Sequence, residues 1–268
     1  SASLAGSVTA NTLTTFSRGY DVSMTGGGTI TTDTTFNNTG TITIGDGSGD
    51  STEFTGGLDT TAGSTENLAG TISATNQQID IGAVNITADT TLNGGSGTID
   101  VGASTLSDGV TFTVGNGSSG NIDVTSVSGT ESGSSSNLTI NNTGTVSVGA
   151  IGTDVGTVTV TQSGGTTFSS TVDASTVTLT DTTGNIDFQG ALTATTLTTE
   201  SQDYNLSFNS SSGNQTSTIS DATTLQNTGT VTFNNTTEDS ITFIGGLTAS
   251  ASSSNNLITI TIILRVIS

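Results

Sequence analysis

Hydrophobic and polar residues alternate at a period of two along most of this chain. The alternation is clearest in the runs TITIG (41–45), IDIG (79–82), TIDVG (98–102), VTFTVG (110–115), TVTVT (157–161) and ITITII (258–263). Thr, Val and Ile dominate these runs, and β-branched side chains favour a pleated strand. Gly, Asn, Asp and Ser cluster between the runs, where turns are expected. The pattern therefore predicts an all-β fold built from short strands.

The spacing of these runs favours a single parallel β-solenoid. Short runs begin every 6 to 8 residues, closer than the roughly 8–12 residues typical of sandwiches built from hairpins. Triplets of the form apolar–x–apolar recur every 20 to 25 residues, provided that the weaker triplet 166–168 is counted. This spacing predicts about 12 turns of a three-sided solenoid, a rod about 55–60 Å long. An antiparallel sandwich and a disordered low-complexity spacer are the alternatives.

The triplets also predict which residues stack on one another. Their middle residues should form one outward column, whose predicted members are Thr43, Asp80, Asp100, Asp123, Ser147, Thr167, Asp187, Ser207 and Thr232. A related phrase appears as NNTGTITIG (37–45), NNTGTVSVG (141–149) and QNTGTVTFNN (226–235). We interpret NNTG as a corner that precedes a strand, and we expect the three copies to lie five and four whole turns apart in that column.

Composition excludes several classes of function. The 268 residues carry a net charge of −20, with two arginines and no lysine, histidine, cysteine or proline. Nucleic acids and anionic membranes require basic residues to neutralise phosphate, so neither is an expected partner. The absence of lysine and histidine excludes most acid–base, Schiff-base and imidazole–metal chemistry, and the absence of cysteine excludes disulfides and thiolate metal sites. The lack of proline suits strands that pair on both sides, because proline removes a ladder donor. No apolar run is long enough to cross a bilayer, and we expect a mature secreted protein or a segment of a longer one.

Two stretches resemble a known family. The segments GTVTVTQSGGTTFSSTVDASTVTLT (156–180) and TGNIDFQGALTATTLTTES (183–201) are similar to the degenerate repeats of filamentous-haemagglutinin-like exported proteins. The resemblance implies a right-handed parallel β-helix with an adhesive or fibre-forming role at the cell surface or outside the cell. The Asn-Pro motif of that family's secretion domain is missing, because the chain has no proline.

The acidic members of the predicted column are the candidate metal ligands. Asp80, Asp100 and Asp123 should lie on consecutive turns, with Asp187 further along. Stacked carboxylates repel one another unless a cation lies between them, and Ca²⁺ prefers carboxylate oxygens. A weak Ca²⁺ site and a solvated acidic face are the two interpretations. No other cofactor is expected.

Threonine pairs and paired carboxylates indicate two further functions. The Thr-x-Thr runs at 29–31, 41–43, 157–161, 176–180 and 230–232 resemble the ice-binding surface of solenoid antifreeze proteins, although threonine is also simply a soluble strand former. We expect aspartates to interrupt these threonine columns. A glycan-binding module is a related alternative. A polysaccharide-degrading enzyme would need carboxylates on one face, such as Asp173 with Asp181 or Asp187. Scarce arginines and aromatic residues argue against it, so no enzymatic activity is expected.

The last residues are the most apolar stretch of the chain. We divide the chain into a rod (1–256) and a terminal strand (257–268) that caps the last turn or pairs with a neighbouring molecule. The candidate self-association residues are Leu257, Ile258, Ile260, Ile262, Ile263, Leu264, Val266 and Ile267. Together these features predict an extracellular structural protein, the rod of a surface adhesin or the subunit of a self-assembling fibre, without membrane insertion.

Overall fold

The computed structural model describes residues 1–130, 133–233, 239–249 and 255–257, and this part of the chain contains strands and no helix. The first strands are β1 (Ala2–Leu4), β2 (Val8–Ala10), β3 (Val22–Met24), β4 (Gly28–Ile30), β5 (Thr34–Thr35), β6 (Thr41–Ile44), β7 (Ser51–Phe54), β8 (Leu58–Asp59), β9 (Thr65–Ser73) and β10 (Ile79–Ile81). The middle strands are β11 (Val84–Asn93), β12 (Ile99–Leu106), β13 (Thr111–Ser118), β14 (Ile122–Gly129), β15 (Ser136–Asn142), β16 (Val146–Ile151), β17 (Val155–Gln162), β18 (Thr166–Phe168) and β19 (Val172–Leu179). The last strands are β20 (Asn185–Phe188), β21 (Leu192–Thr199), β22 (Asn205–Phe208), β23 (Thr216–Ile219), β24 (Thr223–Thr224), β25 (Val231–Phe233), β26 (Ser240–Phe243), β27 (Leu247–Thr248) and β28 (Asn255–Leu257).

The strands form three parallel faces of one solenoid with about 12 turns. Face A contains the segments 2–4, 22–24, 41–44, 65–68, 84–86, 103–106, 126–129, 150–151, 172–174, 192–194, 217–219 and 240–243. Face B contains 8–10, 28–30, 51–54, 70–73, 90–93, 111–115, 137–141, 157–160, 176–179 and 196–199, followed by the ladder of β24 and β27. Face C contains 34–35, 58–59, 79–81, 99–101, 122–124, 146–148, 166–168, 185–188, 205–208, 231–233 and 255–257. Each turn visits A, B and C in that order.

The predicted solenoid and most of the predicted register are confirmed. On face C, Asp80 lies opposite Asp100, and Asp100 lies opposite Asp123. The column then continues through Ser147, Thr167, Asp187, Ser207 and Thr232. Thr167, from the triplet 166–168 that has only one apolar flank, lies between Ser147 and Asp187, as the spacing predicts. The alternation alone therefore located eight consecutive turns of one face.

The predicted place of Thr43 is wrong. Thr43 lies on face A, where it pairs with Ser23 and Asn67. The upstream members of the face C column are Thr35 and Asp59. The copies of the NNTG phrase therefore do not share one column, because the first leads into face A and the other two lead into face C. Four whole turns separate the second and third copies, as predicted, whereas the first and second are not a whole number of turns apart.

The NNTG phrase is a corner that attaches one turn to the turn before it. The second residue of each copy is a buried asparagine whose Nδ2 donates to a main-chain oxygen of the preceding turn. These bonds are Asn38 to Tyr20 (3.1 Å), Asn142 to Gly120 (2.9 Å) and Asn227 to Tyr204 (3.1 Å). A Cβ on the glycine at the fourth position would lie 2.2–2.4 Å from a main-chain oxygen of the same preceding segment. The sequence is repeated because this contact recurs, whichever two faces the corner joins.

The core is a thin column of aliphatic and aromatic side chains inside the three faces. On face C the inward residue after the outward column is aliphatic at Ile81, Val101, Val124 and Val148. It then becomes phenylalanine on four successive turns, Phe168, Phe188, Phe208 and Phe233. Their rings stack with centroids 4.8, 5.5 and 5.4 Å apart and planes within 8° of parallel. In-register pairing thus imposes a stacked geometry on the rings.

The predicted terminal strand lies mostly outside the described residues. Strand β28 extends face C, since Asn255 and Leu257 pair with Val231 and Phe233. The remaining predicted self-association residues, within 258–268, fall outside the part of the chain that is described.

Replacing Phe188 with alanine is expected to destabilise the rod by about 3–5 kcal/mol, the range for removing a buried phenylalanine. Phe188 is fully buried between two stacked rings. Phe16→Ala is the matched control, because Phe16 is 67% exposed and its removal should change stability by less than about 0.5 kcal/mol. Urea unfolding followed by circular dichroism measures both variants. Equal midpoints for the two variants would contradict the stacked core.

Candidate functional site

The acidic column on face C is the candidate site that sequence predicts. The structure brings Asp80, Asp100 and Asp123 together on three consecutive turns, with their side chains outward and partly or fully exposed. Neighbouring members are separated by about 4.8 Å along the rod. Asp59 adds a fourth carboxylate directly before Asp80. The apolar–x–apolar rule missed Asp59, because Thr60 stands where the second apolar residue would be.

The carboxylates of this column are close enough to influence one another. Burial raises the pKa of Asp80 above its ordinary value, and the negative charges of Asp59 and Asp100 raise it further. Gln78 Nε2 donates to Asp100 Oδ2 at 2.9 Å, so an amide partly compensates that carboxylate. Shallow depressions border the column, one of them lined by Asp80, Asp100, Asp123 and Thr125. The column is therefore a strip of concentrated negative charge that solvent reaches.

Asp187 belongs to the same column but not to the same cluster. Ser147 and Thr167 separate it from Asp123. The hydroxyls of Ser207 and Ser210 donate to Asp187 Oδ1 at 2.7 and 2.5 Å. Asp187 thus has local hydroxyl donors, whereas the three predicted ligands lie next to other carboxylates. The predicted Ca²⁺ site stays a prediction, since no group of three or more His, Cys, Asp or Glu side chains in the described segments is placed to hold a metal ion.

The carboxylate pairs considered for hydrolysis do not share a face, which corrects the expectation from sequence. Asp173 lies on face A opposite Thr193, whereas Asp187 lies on face C. Asp181 follows strand β19 and lies at the corner between faces B and C. The solenoid therefore directs Asp173 and Asp187 to different sides of the rod.

The most perturbed carboxyl group is Glu66, which sequence analysis missed. Glu66 lies on face A between Ile42 and Val84, at a position where the alternation turns its side chain into the core. It is 1% exposed. Burial raises its pKa from 4.5 to about 7, although hydrogen bonds from Thr60 and Gly82 oppose this shift. The sequence signal was a charged residue at an inward position of TENLAG, visible only once the strand had been assigned.

The surroundings of Glu66 suit its neutral form. Gly82 N donates to Oε1 at 3.0 Å, and the Thr60 hydroxyl lies 2.6 Å from Oε2 and 3.3 Å from the carbonyl oxygen of Asp80. When Glu66 is protonated, Oε2–H donates to Thr60 and the Thr60 hydroxyl donates to Asp80. When Glu66 is ionised, Thr60 donates to the carboxylate instead. The neutral form therefore satisfies every group of this chain of hydrogen bonds.

The threonine pairs lie on different faces. The expected interruption by aspartate is confirmed for Thr232, which shares its column with Asp187, and is wrong for the pairs on face B. Thr157 and Thr159 lie in register with Thr176 and Thr178 on face B. Thr43 lies on face A and Thr232 on face C. The aspartate column belongs to face C, so it does not interrupt the face B threonines.

Glu66→Gln is expected to remove a pH-dependent loss of stability. The contribution of Glu66 to the wild-type free energy of unfolding should be constant below pH 4.5, fall as the pH rises from 4.5 to about 7, and level off above that, because the unfolded chain ionises Glu66 first. The pKa shift corresponds to about 3 kcal/mol at about 1.4 kcal/mol per pKa unit. The glutamine amide reproduces the neutral hydrogen bonds, so the variant should equal the wild type at pH 4 and exceed it at pH 8. Urea unfolding across this range measures the difference.

The outward-facing Glu53 supplies the control for this experiment. Glu53 lies on face B, and Glu53→Gln makes the same change in net charge. If the Glu66→Gln and wild-type stability curves run parallel from pH 4 to pH 8, the buried carboxyl does not behave as described.

Asp100→Asn is expected to raise stability by about 0.2–1 kcal/mol, because it removes the like charge between Asp80 and Asp123. The gain should shrink as salt rises. If the column holds Ca²⁺, the ion raises the melting temperature of the wild type at constant ionic strength and raises that of the variant much less. Asp203→Asn is the control, because the exposed Asp203 lies outside the column. A wild-type melting temperature that does not respond to Ca²⁺ would identify a solvated acidic face.

Comparisons of this chain with protein-family models, curated proteins and solved structures found no match. The described residues include no helix long and apolar enough to cross a membrane. The architecture of the solenoid and the geometry of its faces are therefore the observations on which a functional assignment rests.

Proposed function

We propose that this protein is a structural rod, either the shaft of an extracellular adhesin or the subunit of a self-assembling fibre. The observation that carries the proposal is the continuous parallel ladder of face C. It runs in register from Thr34 to Leu257. Interior strands are paired on both sides, so bending the rod requires many hydrogen bonds to distort together.

The distribution of side chains supports a rod that is soluble along its length. The large aromatic side chains Phe54, Phe112 and Tyr204 lie inside the coil. The outward positions are mostly threonine, serine and asparagine, with aspartates on faces A and C. A net charge of −20 keeps such rods from associating side by side. Contacts between rods are therefore favoured at the ends.

The apolar segment 257–268 supports end-to-end association. Strand β28 places Asn255–Leu257 on face C, and the residues that follow it alternate as ITITII. A strand of this composition beside the last turn would complete a ladder with a second molecule. The contact between the two molecules would consist of backbone hydrogen bonds between strands, with apolar side chains at alternate positions. The similarity of segments 156–201 to filamentous-haemagglutinin-like repeats, noted above, points to the same class of surface fibre.

Electron microscopy and light scattering of the purified chain test this proposal. The expected particles are stiff rods about 55 Å long per molecule, joined end to end. Deleting residues 257–268 should leave single rods. The double change Ile260→Lys with Ile262→Lys should also prevent association, because both side chains lie on one side of the predicted strand.

The control is Thr259→Lys with Thr261→Lys, which adds the same charge on the polar side of that strand. Equal association of the deletion variant and the full chain would contradict the role of the terminal segment. Globular particles would contradict the rod itself.

A further inference from the structure

Face B carries an uninterrupted column of threonines. Seven consecutive turns place a threonine at the same outward position, with each residue opposite the next: Thr71, Thr91, Thr113, Thr139, Thr159, Thr178 and Thr198. At about 4.8 Å per turn the column is about 29 Å long. All seven side chains are half-buried, because each is flanked by the threonines of the neighbouring turns. The result is a straight row of identical groups.

A second column runs beside the first, two residues earlier in each strand. Its members are Thr111, Asn137, Thr157, Thr176 and Thr196. Side chains two residues apart on a strand point the same way and are separated by about 6.6 Å. Face B therefore presents a two-dimensional lattice, with repeats of about 4.8 Å along the rod and about 6.6 Å across it.

Strand propensity does not explain why this lattice is confined to one face. The three faces have the same backbone geometry, so the preference of threonine for strands acts equally on all of them. The outward column of face A nevertheless changes from turn to turn, through Ser23, Thr43, Asn67, Asn85, Thr105 and Ser128. The column on face C changes between Thr, Asp and Ser. Faces A and C are thus internal controls, and the uniformity of face B points to a requirement of its surface.

The hydroxyl groups of the seven-residue column are available to a ligand. Among the hydrogen bonds of the described residues, none is made by the side chain of any of these seven threonines. Neither column contains a charged residue. Asp89 and Asp221 lie beyond the two ends of the second column, where they accept hydrogen bonds from Thr111 N and the Thr196 hydroxyl. The lattice itself is neutral.

We propose that face B binds the surface of ice. Each threonine of the two columns offers one hydroxyl and one methyl, and Asn137 occupies one position of the second column. The hydroxyls form hydrogen bonds with water molecules held at regular spacing, and the methyl groups order the water between them. The stacked strands fix these positions before binding, so little conformational entropy is lost. The partner that fits is a neutral, periodic array of water molecules.

The same face is poorly suited to a crystalline polysaccharide, the nearest alternative. Sugar rings are commonly bound by stacking on aromatic side chains. The outward positions of both threonine columns carry no aromatic residue. Tyr204 is buried, where its hydroxyl donates to the carbonyl oxygen of Leu179 at 3.1 Å. The surface matches ordered water better than it matches a sugar.

The experiment compares the full chain with two lysine variants. Thr159→Lys places a charge in the middle of the face B column. Thr167→Lys makes the same change at an equally half-buried outward threonine of face C, between Ser147 and Asp187. Partition of the protein into a slowly growing ice hemisphere and thermal hysteresis are measured, and circular dichroism checks that both variants fold.

The wild type and Thr167→Lys should enter the ice and slow its growth to the same extent, whereas Thr159→Lys should do so several-fold less. Thr159→Val and Thr159→Ser then separate the hydroxyl from the methyl contribution. Exclusion of the wild type from ice would overturn the proposal, as would equal partition of the two lysine variants. Binding to microcrystalline cellulose or chitin without binding to ice would also overturn it, in favour of a glycan surface. These outcomes are independent of filament assembly, because the substituted positions lie in the middle of the rod, with Thr167 four turns before Asn256 of β28.

Discussion

In-register stacking of successive turns is the constraint on which this structure depends. Parallel pairing places each residue about 4.8 Å from its counterpart in the next turn, so every position becomes a column of the side chains that occupy it. The consequence depends on the residue. Phenylalanines in one column stack their rings, as in the series from Phe168 to Phe233. Threonines form a regular surface, and aspartates from Asp59 to Asp123 repel one another.

The corners make this stacking possible although the turns differ in length. Consecutive turns of face A are separated by 18 residues between Glu66 and Val84, and by 25 between Thr193 and Thr218. The loops absorb the difference while the strands keep their register. The NNTG corners add a fixed attachment, since their buried asparagines donate to the backbone of the preceding turn. The repeated NNTG sequence therefore attaches each of these corners to the turn before it.

The sequence predicted the strands and the face C register, because these depend on local alternation. It did not predict features that depend on which face of the solenoid a strand belongs to. The triplets on face C share a period and an apolar flank on each side, so their register from Asp80 to Thr232 followed directly. Thr43 was misplaced because an identical corner precedes strands on two different faces. The threonine lattice was missed for the same reason, since Thr157 and Thr176 were compared with residues of other faces. Glu66 required knowledge of which side of its strand is inside.

Distances between spin labels test the central claim, that in-register stacking of successive turns sets the separation of residues in space. The chain has no cysteine, so cysteine pairs can be introduced for labelling without background. Thr71 and Thr198 are six turns apart on face B, and Thr113 and Thr198 are four turns apart. The account predicts narrow distributions, with backbone separations of about 29 and 19 Å. Broad distributions, or distances that do not change in this ratio, would contradict the stacked solenoid.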